Sequence, residues 1–229
     1  MTEADRIANA YRELDSGDTT RWDPANAGNQ HMVAERKRLA RRLLEEQGWI
    51  PLGDRRVLDV GSGTGAELAW FRELGAAPSH LVGIDLIPER VDRARGAYPD
   101  LEFHAGNAEQ LPFPDRSFGL VLVYTVFSSI LDSRMAANVA REIVRVMAPD
   151  GGLLWYDFRY DSPSNPNVRG VGLARVHELF PSLQGRMVSI TLVPPVARRL
   201  GKATGIAYPA LSRVPLLRSH LMGLLMAGH

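Results

Sequence analysis

The sequence predicts an α/β fold: a doubly wound, mostly parallel sheet with an N-terminal helical cap and a basic, helical C-terminal extension. Three observations predict it. Short apolar runs alternate with amphipathic stretches, and strands alternating with helices build a parallel sheet covered on both faces. A glycine-rich turn, GSGTG, joins the first apolar run to the stretch that follows it. With 229 residues, 45% hydrophobic and 23% charged, the chain has enough apolar material to bury the core of one domain. The expected division is a cap at residues 1–50, a central domain at 51–193 and a basic apolar extension at 194–229.

Taken in order, residues 32–47 place Met32, Val33, Leu39, Ala40, Leu43 and Leu44 at helical spacing with charges on the other face. Gly48 stops that helix, and Pro51 and Gly53 make a loop. RRVLDV is the first strand, followed by GSGTG and a helix over 66–74 that ends at Gly75. LVGID is the second strand, and Pro88 opens the next helix, since proline is tolerated in a first turn. LEFHA and GLVLVYTVF are the third and fourth strands; a helix over 135–147 buries Met135, Val139, Ile143 and Val146, and LLWYDF is the fifth strand. Residues 161–170, rich in Pro, Asn and Ser, read as a loop; a short helix over 172–180 and a strand over 187–193 follow. No seventh strand is evident. The remainder, with Pro194, Pro195, Pro209 and Pro215, reads as short helical pieces.

Composition narrows the chemistry. The absence of cysteine excludes disulfides, thiolate metal sites and cysteine nucleophiles. The start, MTEADRIANAYRELD, lacks the basic and apolar regions of a signal peptide, and the apolar run at 120–131 is too short to span a bilayer. A cytoplasmic location is therefore expected. The net charge of +1 hides an asymmetry: residues 179–229 hold no acid but carry Arg186, Arg198, Arg199, Lys202, Arg213 and Arg218. Such a tail suits an anion, a membrane surface or a partner, including a second copy of the chain.

The glycine turn carries the strongest functional signal. Glycines let the chain turn tightly and let a ligand approach the backbone, while the helix start offers free N–H groups. Asp85 ends the second strand, where an acidic side chain can accept hydrogen bonds from ribose hydroxyls. Gly61, Gly63 and Ala66 also fit a dinucleotide fingerprint, so a nicotinamide-dependent reductase competes at this point.

VLDVGSGTG resembles the first motif of class I S-adenosylmethionine (SAM) methyltransferases, and GID their second. GNAEQLPFPDRSFGLVLVYTVF resembles the third and fourth, and EIVRVMAPDGGLLWYDF the last helix and fifth strand. The resemblance runs from about Arg55 to Phe158 and implies a Rossmann-like fold, SAM as cofactor and methyl transfer. It also implies that Asp59, Gly61, Gly63 and Gly65 surround the methionine end of SAM. Asp85 would hold the ribose, Leu86, Asn107 and Ala108 would meet the adenine, and Tyr124 and Thr125 would lie below the sulfonium. The family more often has Asp where Asn107 stands.

Methyl transfer asks mainly for alignment of the acceptor about 3–3.5 Å from the methyl carbon and for exclusion of water. Without cysteine, covalent attack on a pyrimidine carbon is excluded. Tyr124-Thr125-Val126-Phe127 stands where nucleic-acid amine methyltransferases carry Asn/Asp-Pro-Pro-Tyr, and no RNA-binding module is evident, which points away from nucleic acid. The expected reaction is O-methylation of a small molecule or glycan. Asp157 is the candidate base, with Arg159, Asn165, Asn167 and Arg169 as substrate contacts; Asp157 paired with an arginine to pin the loop is the alternative. His31 reads as a second base or as a helix-entry residue, and His104 as a packed core histidine. Tyr11 and Trp22 read as closing over the cofactor or as apolar anchors. The acid-free tail motivates a phosphate-bearing or lipid-linked glycan methylated at a membrane surface, against a tail packed as lid or dimer contact. A noncatalytic SAM-binding scaffold remains the other alternative.

Overall fold

A computed structural model describes residues 1–17, 23–162 and 165–228. Its helical cap is α1 (Glu3–Ser16) and α2 (Ala27–Glu46). Thr2 and Asp5 cap α1 reciprocally, and the Asn26 carbonyl accepts from Gly28 and Asn29 at the start of α2. The alternating body follows as β1 (Val57–Val60), α3 (Ala66–Trp70), β2 (Leu81–Asp85), α4 (Pro88–Ala97), β3 (Glu102–Ala105), β4 (Phe118–Tyr124), α5 (Ser133–Val146) and β5 (Met147–Phe158). Then come α6 (Leu173–Leu179), β6 (Leu183–Gln184), β7 (Met187–Leu192), α7 (Pro194–Arg199), α8 (Thr204–Leu211) and β8 (Arg218–Ala227).

The sheet runs β3-β2-β1-β4-β5-β8-β6, with β7 also on β8. The first five strands are parallel; β8 is antiparallel to β5, β6 and β7. Alternation along the strands divides the core. Leu58, Val60, Val121, Val123, Leu153 and Trp155 join a cluster with Val139 and Ile143 of α5. Val57, Leu120, Leu122, Leu154 and Tyr156 join another with Ala40 and Leu44 of α2 and Leu68 of α3. The C-terminal ends of the parallel strands converge beside the glycine turn, α2 and the start of β8. Among the described residues no helix is long and apolar enough to cross a membrane.

The expectations of no seventh strand and of a wholly helical tail are corrected, because the sheet has eight strands. The extension is helical over α7, α8 and the intervening turns, but Arg218–Ala227 is a strand inside the sheet rather than a further helical piece. Residues 220–225, HLMGLL, are all buried, so the segment shows no alternation and reads equally as helix. Gly223 sits there because a Cβ would lie 2.7 Å from the Arg186 carbonyl oxygen, just before β7.

Candidate functional site

Three glycines shape the turn after β1, all at positive φ: Gly61 at 77°, Gly63 at 55° and Gly65 at 82°. L-residues rarely adopt that region. The turn also packs closely on two sides. A Cβ on Gly61 would lie 2.7 Å from Val126, and one on Gly65 2.6 Å from Phe103. At Gly63 a Cβ would meet nothing within 4 Å, so the turn presents open backbone there. Asp85 fastens it from below, accepting from Gly63 N at 2.8 Å and from Ile87 N at 2.9 Å. Burial raises the Asp85 pKa and those two backbone bonds oppose the rise. Each carboxylate oxygen retains a lone pair for ribose hydroxyls.

Beside the turn lies a buried polar cluster with missing partners. Asp59 is 3% exposed, and its carboxyl group makes no side-chain hydrogen bond among the described residues. Burial first, then Glu67 and Asp85, push its pKa well above the carboxylate range, against the pull of Arg36. Arg36 comes from α2, pairs with Glu67 of α3, and lies over the rings of Tyr124 and Tyr156 at 5.4 and 5.1 Å. Arg36 Nε, Glu67 Oε2, Ser62 Oγ and the Tyr124 hydroxyl are all buried without a partner. Orphaned groups of this kind mark a place built for a ligand. A zwitterionic amino-acid end fits it: Arg36 for the carboxylate, Asp59 and Glu67 for the ammonium. Arg36 and Glu67 were not legible in the sequence, because the charged run Glu35-Arg36-Lys37-Arg38 reads as a solvated helix face.

On the β2–β3 side, Leu86 and Ala108 are half-buried against the core. The Asn107 carbonyl accepts from Glu109 N at 2.9 Å, and its amide donates to the Glu109 carboxylate at 3.1 Å. An adenine edge would therefore meet Asn107 with its polarity set by Glu109. Helix α1 straps this region. Asp15 pairs with Arg90 and Arg93, the Tyr11 hydroxyl meets Ser129 Oγ at 2.8 Å, and the Arg90 guanidinium lies 4.4 Å from the Tyr11 ring centre. Trp22 lies outside the described residues.

The expected substrate residues do not converge. Asp157 is fully buried and accepts from Ser128 N and Phe158 N, so it holds the turn Phe127–Ser129, and no arginine pairs with it among the described residues. Burial raises its pKa to about 6, with the Ser128 bonds opposing. Arg159 stacks on Tyr160, Asn165 accepts from Asn167 N, Asn167 accepts from Arg6, and Arg169 donates to the Leu131 carbonyl. Those four tie down their own loop and α1. His31 sits in α2, its Nδ1 3.0 Å from the Ala27 carbonyl and its ring against Tyr208 of α8. His104 is a half-exposed residue of β3 bonded to Glu102, not a core histidine, because β3 is the sheet edge.

Beyond Tyr124 the floor is aromatic. Thr125, at φ 56°, donates its N–H to the Tyr156 carbonyl and bends the chain away from the sheet. His220, at the start of β8, stacks on Tyr156 at 4.4 Å and leans on Phe158 at 4.1 Å. Its Nδ1 meets Ser219 Oγ at 2.8 Å, and burial lowers its pKa to about 3 with help from Arg36. No sequence motif pointed to His220. Among the described residues no cluster of His, Asp and Glu could hold a metal ion.

Residues 58–155 match the family described as a methyltransferase domain. A demethylmenaquinone methyltransferase of Chlorobaculum parvum is 32% identical over 57% of this chain and 51% of its own length. A fatty-acid O-methyltransferase of Mycolicibacterium smegmatis is 37% identical over 48% of this chain and 40% of its own. The chain thus spans about half the length of the curated relatives it matches. The crystal structure of a SAM-dependent methyltransferase from Mesorhizobium loti superposes with a TM-score of 0.61 at 17% identity, covering 85% of this chain and 99% of that one. That likeness is one of fold. The family match leaves no support for the nicotinamide-dependent reading of the glycine turn.

Proposed function

We propose, from the premise that the chain belongs to the class I SAM-dependent methyltransferase family, that it O-methylates an apolar small molecule. The observation that carries the reading is the buried cluster of Asp59, Arg36, Glu67 and Tyr124, in which Arg36 Nε, Glu67 Oε2 and the Tyr124 hydroxyl lack partners, beside a glycine turn clamped by Asp85. SAM, when bound, supplies an electrophilic methyl group on a sulfonium. Asp59 and Arg36 hold the amino-acid end, Asp85 the ribose, and Leu86, Asn107 and Ala108 the adenine. Tyr124, Tyr156, Phe158 and His220 offer an acceptor a dry aromatic floor, which excludes water and favours a planar or apolar substrate. A phosphate-bearing glycan is less well served, because Asn167 and Arg169 already bind α1 and the Leu131 carbonyl. The relatives named for a quinone precursor and a fatty acid agree with an apolar acceptor. Acceptors with an acidic hydroxyl need no strong base, which suits a site where the buried Asp157 serves the backbone.

The test is ligand-dependent melting followed by transfer of labelled methyl from SAM into fractions of a cell extract. S-adenosylhomocysteine at ~100 times its Kd should stabilise the protein by about 2.7 kcal/mol, and Asp59→Asn and Arg36→Gln should abolish the shift. Label should enter an organic-soluble fraction. Stabilisation by NADPH but not by S-adenosylhomocysteine would refute the donor, and label confined to water-soluble glycan would refute the acceptor class.

A further inference from the structure

Helix α8 is built inside out. Its inner positions, Thr204 and Tyr208, are buried, and Tyr208 donates its hydroxyl to Glu35 of α2. Its outer positions Gly205, Ile206, Pro209 and Ala210 are exposed and apolar, and the helix contains no charged residue. A helix apolar on all sides is ordinarily covered. Ile206 is 85% exposed, and Leu216, in the turn just after α8, is 78% exposed. Val196 and Val214 are exposed in the same stretch. Exposed Arg199, Lys202 and Arg213 flank them, and none enters an ion pair among the described residues. No acid occurs anywhere from Leu179 to the end.

We propose that the outer face of α8 and the following turn dock on an anionic phospholipid bilayer, with Ile206 and Leu216 entering the headgroup boundary and Lys202 and Arg213 meeting lipid phosphates. Charge selects this occupant over a second copy of the chain. A two-fold contact through the same face would bring two acid-free sets of Arg199, Lys202 and Arg213 together. The surface stands independently of the acceptor reading and would serve it. Tyr208 on the inner face touches Glu35, whose neighbour Arg36 reaches the cofactor cluster, so the bilayer would lie one helix from the site.

The test is co-sedimentation of the full chain, without SAM, on vesicles of phosphatidylcholine alone or mixed with phosphatidylglycerol, at low and high salt. Binding should require phosphatidylglycerol and fade with salt. K202Q/R213Q should weaken it about 25-fold, at roughly fivefold per cation. I206S/L216S should weaken it by on the order of tenfold or more. Both variants should keep the wild-type affinity for S-adenosylhomocysteine, which separates this outcome from a failed donor reading. No binding to the anionic vesicles at low salt, or binding that both variants retain, overturns the proposal. A dimer in velocity sedimentation that I206S/L216S dissociates assigns the face to a second copy instead and overturns it equally.

Discussion

Helix α1 and the pair α7–α8 are both covers added to the alternating body, yet they are attached by different means. Helix α1 buries only Ile7 and Ala8 and is held at both ends by polar ties. Asp15 pairs with Arg90 and Arg93 at one end, while at the other Glu3 accepts from Leu131 N and Arg6 donates to the Ser129 carbonyl. Helices α7 and α8 are tied to α2 by hydrogen bonds from Tyr208 to Glu35 and from Arg198 to Asn29, and rest on an apolar cluster of Met32, Leu192, Ala197 and Tyr208. Partly exposed ion pairs of this kind contribute little each, exposed ones about 0–1 kcal/mol, whereas a buried large apolar side chain contributes about 1.5–3 kcal/mol. Helix α1 is thus a strap held mainly by polar ties, and α7–α8 a wall held mainly by apolar packing.

The largest expected effect breaks the wall. Gly28 of α2 approaches α7 so closely that a Cβ would lie 2.2 Å from the Ala197 carbonyl oxygen. Gly28→Val should destabilise by about 3 kcal/mol, the upper range for overpacking. Thermal melting should show the loss, and limited proteolysis should cut first within 194–217. An unchanged melting temperature would mean that the wall is not seated on that contact.

A smaller effect concerns pH. The folded pKa of His220 is lowered to about 3 from an ordinary 6.5, so its neutral form is the folded one. Below pH 6.5 the unfolded chain binds the extra proton, and stability falls as the pH drops toward 3. The loss should be on the order of 2 kcal/mol by about pH 5. Asp157, raised to about 6, acts in the opposite direction between 3.8 and 6. Comparing wild type with His220→Phe isolates the histidine, since Asp157 is present in both. Melting temperatures measured across this range should converge toward acid; parallel curves would remove His220 from the account.

The smallest effect tests the strap. Asp15→Asn should lower stability by less than about 1 kcal/mol and weaken S-adenosylhomocysteine a few-fold, with the difference from wild type shrinking in high salt. Glu3 adds an acid limb. Its pKa is lowered to about 2 from 4.5, foremost by the Arg6 hydrogen bond, so its contribution is complete above pH 4.5 and fades as the pH falls toward 2. A stability loss as large as that of Gly28→Val would erase the contrast between the two covers.

The sequence by itself determined the alternating strands and helices, the turn Gly61–Gly63–Gly65 and the place of Asp85, because each depends on neighbours within a few residues. Backbone conformation at glycine, apolar periodicity and the end of a strand are all local properties. Tertiary structure alone decided that β8 enters the sheet, that Arg36 and Glu67 meet Asp59, and that His220 stacks on Tyr156. It also decided which intramolecular bonds Asp157, Asn165, Asn167 and Arg169 make. The physical reason is common to all of these. A charged or aromatic side chain carries the same local signal whether water or a distant segment covers it, and only the packing of segments far apart in the chain selects which of the two it meets.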